Sequence, residues 1–337
     1  MLTKVQSDYL RADLVLSGVW DTIVKESPMT QALPMKAVNN DIIKYNVELT
    51  MPTVSWLQPK DQITENTGTF EPRTTNIYTL IGDSDTDKSM IAMNPLQNPE
   101  SVDIEAKAKA MAHAFELCLI MGQTTTSSST KEFKGLMRIL AEFESDSTTD
   151  LDGVNNSQVI AKSTTGITNH DTSVALTMPM MDVLRDSIKP GKPDAYLMSK
   201  RMSRYLDVLS RASGTSGLTM MDSKLFGIRM EHYGLVPIYT SDWIPDNLPD
   251  GSSSVLTIST YDQSATRATG YDNSIIFALK ISEEDVTGLQ AGSMTHERET
   301  FVEDFNAIRN RFSWNVSMMC KKKFSLAALI NVLDVAL

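Results

Sequence analysis

The stretch that most limits what this chain can fold into is residues 41 to about 83, which read as a long hairpin with little of its own to lie against. In the first limb Tyr45, Val47, Leu49 and Met51 alternate with Asn46, Glu48 and Thr50. That is the period-2 pattern of a strand with one face covered. Pro52 and Pro59 punctuate the limb, and the tip, Gln58 to Thr69, is polar with one isoleucine. The return limb, Thr74 to Ile81, is rich in Thr, Ile and Tyr. A two-stranded ribbon is marginal alone in water. Something must cover it, and a neighbouring subunit is one candidate. Residues 1 to about 40 pose the same problem. An amphipathic piece, Tyr9 to Val24, is followed by Pro28 and Pro34 and reads as an arm with one helix.

The clearest helix comes next. Asn98 can cap it, and Pro99 suits the first helical position. Ile104, Ala108, Met111, Phe115 and Cys118 follow at helical spacing as one apolar stripe. Glu105 and Lys109 lie one turn apart on another face. Gly122 is the expected stop. A helix from Pro99 to Gly122 is about 35 Å long, a beam across a flat subunit.

Beyond it, Gln123 to Thr130 is a Ser/Thr loop, Phe133 to Phe143 is helical or mixed, and Asp146 to Asn156 is polar. Pro179 to Ile188 reads as a short helix stopped by Lys189-Pro190-Gly191. Ala195 to Met198 reads as a strand, and Ser199 can cap a helix running to Ser213 with Met202, Leu206 and Leu209 inward. Leu225 to Thr240 is strand, turn, strand, and Val255 to Ser259 and Ile275 to Leu279 are further strands. Phe312, Trp314, Val316 and Met318 alternate with polar residues, and Phe324 to Leu329 is an apolar run. No internal repeat is visible. The fold class expected is mixed α/β (α+β).

With 337 residues and 41% hydrophobic content, the chain can bury a sizeable core. Its net charge of -11 argues against a protein that grips nucleic acid, which needs a basic face. A wall that only surrounds nucleic acid is compatible with it. Cys118 and Cys320 form no CxxC pair and no disulfide framework, so a reducing compartment is expected. No secretory signal pattern opens the chain, and no stretch approaches the ~20 apolar residues of a membrane span. A cytoplasmic site of synthesis and no membrane partner are expected.

A search for chemistry yields no catalytic, metal or cofactor residues. GxSxG, HExxH, Walker and GxGxxG patterns are all lacking. His113, His170, His232 and His296 are scattered. Asp83, Asp85 and Asp87 resemble the start of a calcium loop. However, Lys88 replaces the turn glycine and Asn94 the bidentate Glu, so a solvated acidic turn is expected. Cys118, on the apolar stripe, reads as an inert thiol. Lys321-Lys322-Lys323 reads as a solvated rim rather than a phosphate contact.

The order of the pieces resembles the major capsid proteins of tailed phages. Ala114 to Gly122, a polar loop, then Phe133-Lys134-Gly135-Leu136 is similar to that family's spine helix ending at glycine before an "f-x-G-L" phrase. Pro193-Asp194-Ala195-Tyr196-Leu197-Met198-Ser199 resembles its "pd-x-ilm-s/n" strand. Phe226-Gly227, Gly234-Leu235-Val236-Pro237-Ile238 and Ile244-Pro245 resemble its "G-x-P-v … i-P" segment, and Arg311-Phe312-Ser313-Trp314 its late strand. Each phrase is weak alone; their shared order from about residue 40 onward carries the resemblance.

The resemblance implies the Hong Kong 97-type capsid fold. The expected parts are an N-arm (1–40), an E-loop (41–83), and a P-domain (84–165) with its spine helix at about 99–122. An A-domain (166–289), a P-domain return (290–320) and a C-terminal strand of the A-domain (321–337) would complete it. It also implies a virion protein that self-assembles into pentamers and hexamers, forming an icosahedral shell around double-stranded DNA. Loops near Gly214 to Gly217 or Tyr261 to Gly270 would point to the capsomer centre. With ~40 residues ahead of the hairpin, a fused scaffold has no room, so a separate scaffolding protein is expected. Portal and cement proteins are further expected partners. Some members join subunits by a Lys–Asn isopeptide bond. Lys60 with Asn306 or Asn310, and Glu303 as base, would be the partners here, though no local motif demands it. The nearest rival is an encapsulin, a bacterial cargo shell on the same fold, for which Tyr9 to Val24 would be the cargo-docking helix. An enzyme with an unrecognised site is the rival from another class.

Overall fold

The computed structural model describes Val19, Ile23 and residues 27–334 except 51, 64, 94–97, 124–130, 144–156, 161–173, 213–230, 247–272 and 302–304. Helix α1 (Pro28–Ala32) and strand β1 (Met35–Ala37) lead into β2 (Ile42–Thr50) and β3 (Thr69–Asn76), then β4 (Tyr78–Asp87). Helices α2 (Lys88–Ala92), α3 (Pro99–Met121) and α4 (Leu136–Ala141) follow. After β5 (Val159–Ile160) and β6 (Val174–Ala175) come α5 (Met178–Ser187), β7 (Ala195–Met198) and α6 (Lys200–Ala212). The chain ends with β8 (Glu231–Tyr233), β9 (Val236–Thr240), β10 (Ser274–Leu279), β11 (Val286–Gln290), β12 (Thr295–Glu299), β13 (Ala307–Cys320) and β14 (Leu326–Leu333). The class is mixed α/β.

Two sheets carry the body. The first has the order β1-β11-β13-β12, with β4 also paired to β13. Strand β13 is its keel, because both of its edges are paired: β4 along Ala307–Val316, β12 and β11 along the other edge. The alternation read in the sequence is its packing face. Phe312, Trp314, Val316 and Met318 are all buried, and the Trp314 ring packs at a tilt on Phe115 of α3, with centroids 4.8 Å apart. The second sheet has the order β5-β14-β10-β7-β9-β8, with β6 added to β14. Strands β10 and β14 are buried on both faces, which is why they read as unbroken apolar runs.

Helix α3 forms where the sequence places it. The Asn98 side chain accepts from Glu100 N at 3.1 Å, Pro99 opens the first turn, and Glu105 pairs with Lys109 at 3.0 Å. Its buried face is Ala108, Met111, Ala112, Phe115, Glu116, Leu119 and Ile120, while Ile104 and Cys118 lie only at the margin. Gly122 is not in the left-handed conformation that usually favours a terminal glycine; its φ is -52°. It is glycine because the chain returns against it. Gly135 N donates to Gly122 O at 2.9 Å. A Cβ on Gly122 would overlap the Phe133 carbonyl, and one on Gly135 would lie 2.5 Å from Gly122 N.

The arm and the hairpin differ from expectation. Val19, Ile23, Met29 and Leu33 are buried in the main core. Strand β1 adds to β11 in parallel, with Gly288 N donating to Pro34 O at 3.0 Å. The arm is therefore built into the body, since β11 would otherwise present an open edge. The rest of Tyr9 to Val24 lies outside the described residues. The hairpin pairing ends at Ile42↔Asn76. Tyr78 to Ile81, expected in the return limb, instead pair with β13, because their Cα partners run from Val316 to Ser313. Likewise Val159 and Ile160 lie in the second sheet beside β14, and β11 lies in the first. The chain passes from one sheet to another near 77, 159 and 286.

Candidate functional site

The hairpin has two unlike ends. At its root Val47, Arg73 and Thr75 are buried. Glu48 N donates to Lys321 O at 3.3 Å, and Thr75 Oγ1 lies 3.0 Å from Ser317 Oγ. Arg73 reaches across to the turn after α4. Its guanidinium donates to the Glu142 carbonyl, pairs with Glu71 at 3.0 Å and sits 5.0 Å over the Phe143 ring. The Glu142 carboxylate is also held by Lys134 at 2.8 Å and Arg138 at 3.1 Å. The hairpin is thereby clamped to α4, and α4 to the end of α3 through Gly135 and Gly122.

Beyond the root, residues 52–63 are exposed. Residues 52–63, except for the turn at Pro59–Lys60, adopt no regular element. Internal bonds there include Asn66 Nδ2 to Thr53 Oγ1 at 2.7 Å, Gln58 N to Asp61 Oδ2 at 2.8 Å, Asp61 N to Gln58 O at 3.0 Å, and Thr50 to Thr69 at 2.5 Å. Yet this part presents large apolar side chains to solvent: Trp56 is 102% exposed, Val54 93%, Ile63 79% and Phe70 65%. Gln58 to Thr69 is polar but for Ile63, while Val54 and Trp56 lie just ahead of it, with no periodicity to mark them. A second set of exposed apolar residues is Met90 and Met93 after β4, Phe301 after β12 and Phe305 just before β13.

The charged residues mostly satisfy one another. Asp83 and Asp85 are not a solvated turn but a ladder on β4. Asp83 accepts two bonds from Arg311 at 2.9 and 2.8 Å, and Asp85 two from Arg309 at 2.7 Å each. The cross-strand register sets these pairs directly opposite. The guanidinium bonds hold both carboxyls below their ordinary range. Asp87 instead caps α2 through Ser89 N at 2.8 Å. Glu100 at the start of α3 is buried and takes Arg298 at 2.6 Å and Asn310 at 3.2 Å. Burial pushes the Glu116 carboxyl above its ordinary range, partly offset by hydrogen bonds from Ser241 and Ser27. That carboxyl ties α3 to the arm and to the loop after β9.

The other sequence candidates are placed as follows. Burial pushes the Cys118 thiol up to about 12, and its Sγ lies 3.6 Å from Phe133 O. Cys320 is buried and is also pushed up to about 12. Lys321 pairs with Glu284 at 3.0 Å and Lys322 with Asp285 at 3.4 Å. Two of the three lysines thus have carboxylate partners in the subunit. His113 packs on Trp243, while His296 stacks on Phe312 and bonds Asn310. His170 lies outside the described residues. Among the described residues no group of three or more His, Cys, Asp or Glu is arranged to hold a metal. No helix there is long and apolar enough to cross a membrane. Lys60 and Asn306 are exposed, whereas Asn310 is buried and bonded to Glu100. Glu303, Gly214 to Gly217, Val255 to Ser259 and Tyr261 to Gly270 lie outside the described residues.

No protein-family model and no curated protein matches the sequence. Solved structures do match the fold. The SrpI encapsulin of Synechococcus elongatus, in its holo complex, superposes with a TM-score of 0.59 at 14% identity, over 90% of this chain and 86% of that one. The capsid of cyanophage A-1(L) gives 0.59 at 13% identity, over 91% and 93%. The capsid of a native GTA particle gives 0.57 at 10% identity, over 93% and 91%. At these identities the likeness is one of fold, and it runs nearly end to end.

Proposed function

We propose that this chain, which has the Hong Kong 97-type capsid fold, is a major capsid protein that assembles with copies of itself into an icosahedral shell. One observation carries the reading: a hairpin clamped at its root and lined with bare apolar side chains at its tip, on a fold shared end to end with shell proteins. Fully burying a side chain of the Val–Trp size is worth about 1.5–3 kcal/mol. A monomer forgoes that at Val54, Trp56 and Ile63; a neighbour's surface supplies it. The parts are assigned accordingly. The arm is 1–40, the E-loop the β2–β3 hairpin, the P-domain the first sheet with spine helix α3, and the A-domain the second sheet with α5 and α6.

The shell is that of a tailed phage, built in a host cytoplasm from pentamers and hexamers around double-stranded DNA. A chain of charge -11 encloses DNA without gripping it. Scaffolding, portal and cement proteins are the partners expected of such a shell, and no catalysis is assigned to it. Electron microscopy of the purified chain, alone and with the protein encoded beside it, is the test. Closed shells of one diameter support the reading; monomers at every concentration oppose it. The encapsulin reading is kept by the equal superposition on the cyanobacterial cargo shell. Shells holding a protein cargo in place of DNA would establish it.

A further inference from the structure

The shell reading leaves one buried carboxyl unused. Glu116 is 4% exposed on the buried face of α3. Its partners are two hydroxyls, Ser241 of the loop after β9 and Ser27 of the arm, both buried as well. Each serine is set to donate. Ser27 Oγ accepts from Thr30 Oγ1 at 2.8 Å, and Ser241 Oγ accepts from Trp243 N at 3.2 Å, so each keeps its own proton for Glu116. The carboxyl thus lies where helix, loop and arm meet. We propose that Glu116 is a proton-operated latch on the arm: neutral, it stays covered by the segment from Ser27 to Leu33; ionised, it frees that segment while β1 remains paired.

A neutral carboxyl needs no counter-charge, whereas a buried carboxylate is costly unless it is paired. Burial pushes Glu116 above its ordinary range, and the Asp242 carboxylate beside it adds to the rise. Asp242 is itself engaged by Lys200 at 2.6 Å. The two serines and His113, which packs on Trp243, pull the other way and offset the rise in part. Ionisation is relieved by letting water in, and the arm is the cover that moves. The loop after β9 is anchored to β7, since Ser241 N donates to Met198 O at 3.1 Å. Among the described residues, the backbone bonds of the arm segment are internal to the arm: Ser27 N to Ile23 O, Thr30 N to Ser27 O and Leu33 N to Met29 O. Backbone anchorage to the body begins at Pro34, whose carbonyl accepts from Gly288 N at 3.0 Å and Thr287 Oγ1 at 2.9 Å. That residue is the hinge.

Amide hydrogen exchange across pH tests the latch, read as protection factors so that the intrinsic exchange rate cancels. A freed α1 is too short to hold its own turn, so its amides report the opening. Thr30 and Leu33 should lose protection as pH rises from 4.5 toward the folded value, by up to about tenfold per pH unit, the limit for one proton, and then level off. Val38, whose N–H donates to Gln290 O beyond the hinge, should keep its protection. Glu116→Gln retains the shape and an acceptor but cannot ionise, so Thr30 and Leu33 should stay protected throughout. Ser27→Ala removes one donor. A bond to a charged group is worth more than one to a neutral group, so this variant should lose more protection near neutrality than near pH 4.5. Wild-type protection that is flat with pH, a fall shared equally by Val38, or an unaltered fall in Glu116→Gln overturns the latch. So does a Ser27→Ala loss that is equal at both pH values, whether or not Glu116→Gln folds.

Discussion

At its root the β2–β3 hairpin buries Val47, Arg73 and Thr75 against β13 and the turn after α4. A few residues farther out, Val54, Trp56 and Ile63 stand in solvent. Composition does not separate the two ends, since each mixes apolar and charged side chains. The difference is where the partners come from. At the root they lie in the same chain, and each polar group is answered: Arg73 by Glu71 and Glu142, Thr75 by Ser317. At the tip, among the described residues, the hydrogen bonds are local and Val54, Trp56 and Ile63 are exposed. The root contributes to the stability of the subunit; the exposed side chains of the tip contribute little to it.

The comparison breaks most sharply at the clamp. Gly122→Ala should destabilise the subunit by about 3 kcal/mol, the upper part of the overpacking range, because backbone rather than a flexible side chain blocks the new methyl group. A urea melt followed by circular dichroism reads it. Arg73→Met should cost about 2 kcal/mol in the same melt. It removes a buried donor from the Glu142 carbonyl but leaves the Glu142 carboxylate its Lys134 and Arg138 partners. Either change loosens the root without touching the tip.

The clamp shows what the sequence made legible. Helix α3 could be read because its cap, proline and apolar spacing are local signals. The same holds for β13, whose alternation is direct, and for β14, whose unbroken apolar run marks a strand buried on both faces. Gly122 and Gly135 belong to a legible phrase of the sequence, but their reason is a backbone contact thirteen residues apart. Arg73 gave no signal, since its partner Glu142 is 69 residues away. Asp83 and Asp85 looked solvated for the same cause: their partners Arg311 and Arg309 are more than 220 residues away. The arm's burial depends on β11, so it too was invisible to local pattern.

Acid separates body from tip more gently. Bonds to Arg311 and Arg309 lower the Asp83 and Asp85 carboxyls below the ordinary 3.8. Their stabilisation is therefore present above that value and is lost as pH falls through the depressed folded values. Glu116 has the opposite sign. Burial raises it above 4.5, so its stabilising term is full below 4.5 and lost as pH rises through the folded value. His113 and Asp242 also face it, and Asp242 reinforces the rise. Glu116→Gln should thus raise the urea midpoint near neutrality and leave it unchanged near pH 4. Asp83→Asn with Asp85→Asn should flatten the loss below pH 3.8, by less than about 1 kcal/mol per pair, since both pairs are part-exposed.

The smallest effect on folding is expected where the effect on assembly is largest. Deleting Gln58 to Thr69 removes Ile63, the turn at Lys60 and the Thr50–Thr69 and Thr53–Asn66 contacts, all of them internal to the hairpin. The root pairs from Val47↔Glu71 back to Ile42↔Asn76 remain, as do Arg73 and its partners. The unfolding free energy should change by no more than about 0.5 kcal/mol, as for surface changes away from buried groups. Shells should fail to form in electron micrographs. A large fall in the midpoint would mean that the body holds the tip, and the contrast between the two ends would disappear. An unchanged midpoint with normal shells would keep the contrast but remove the tip from the assembly contact, leaving the exposed Met90, Met93, Phe301 and Phe305 group as the surface that joins copies.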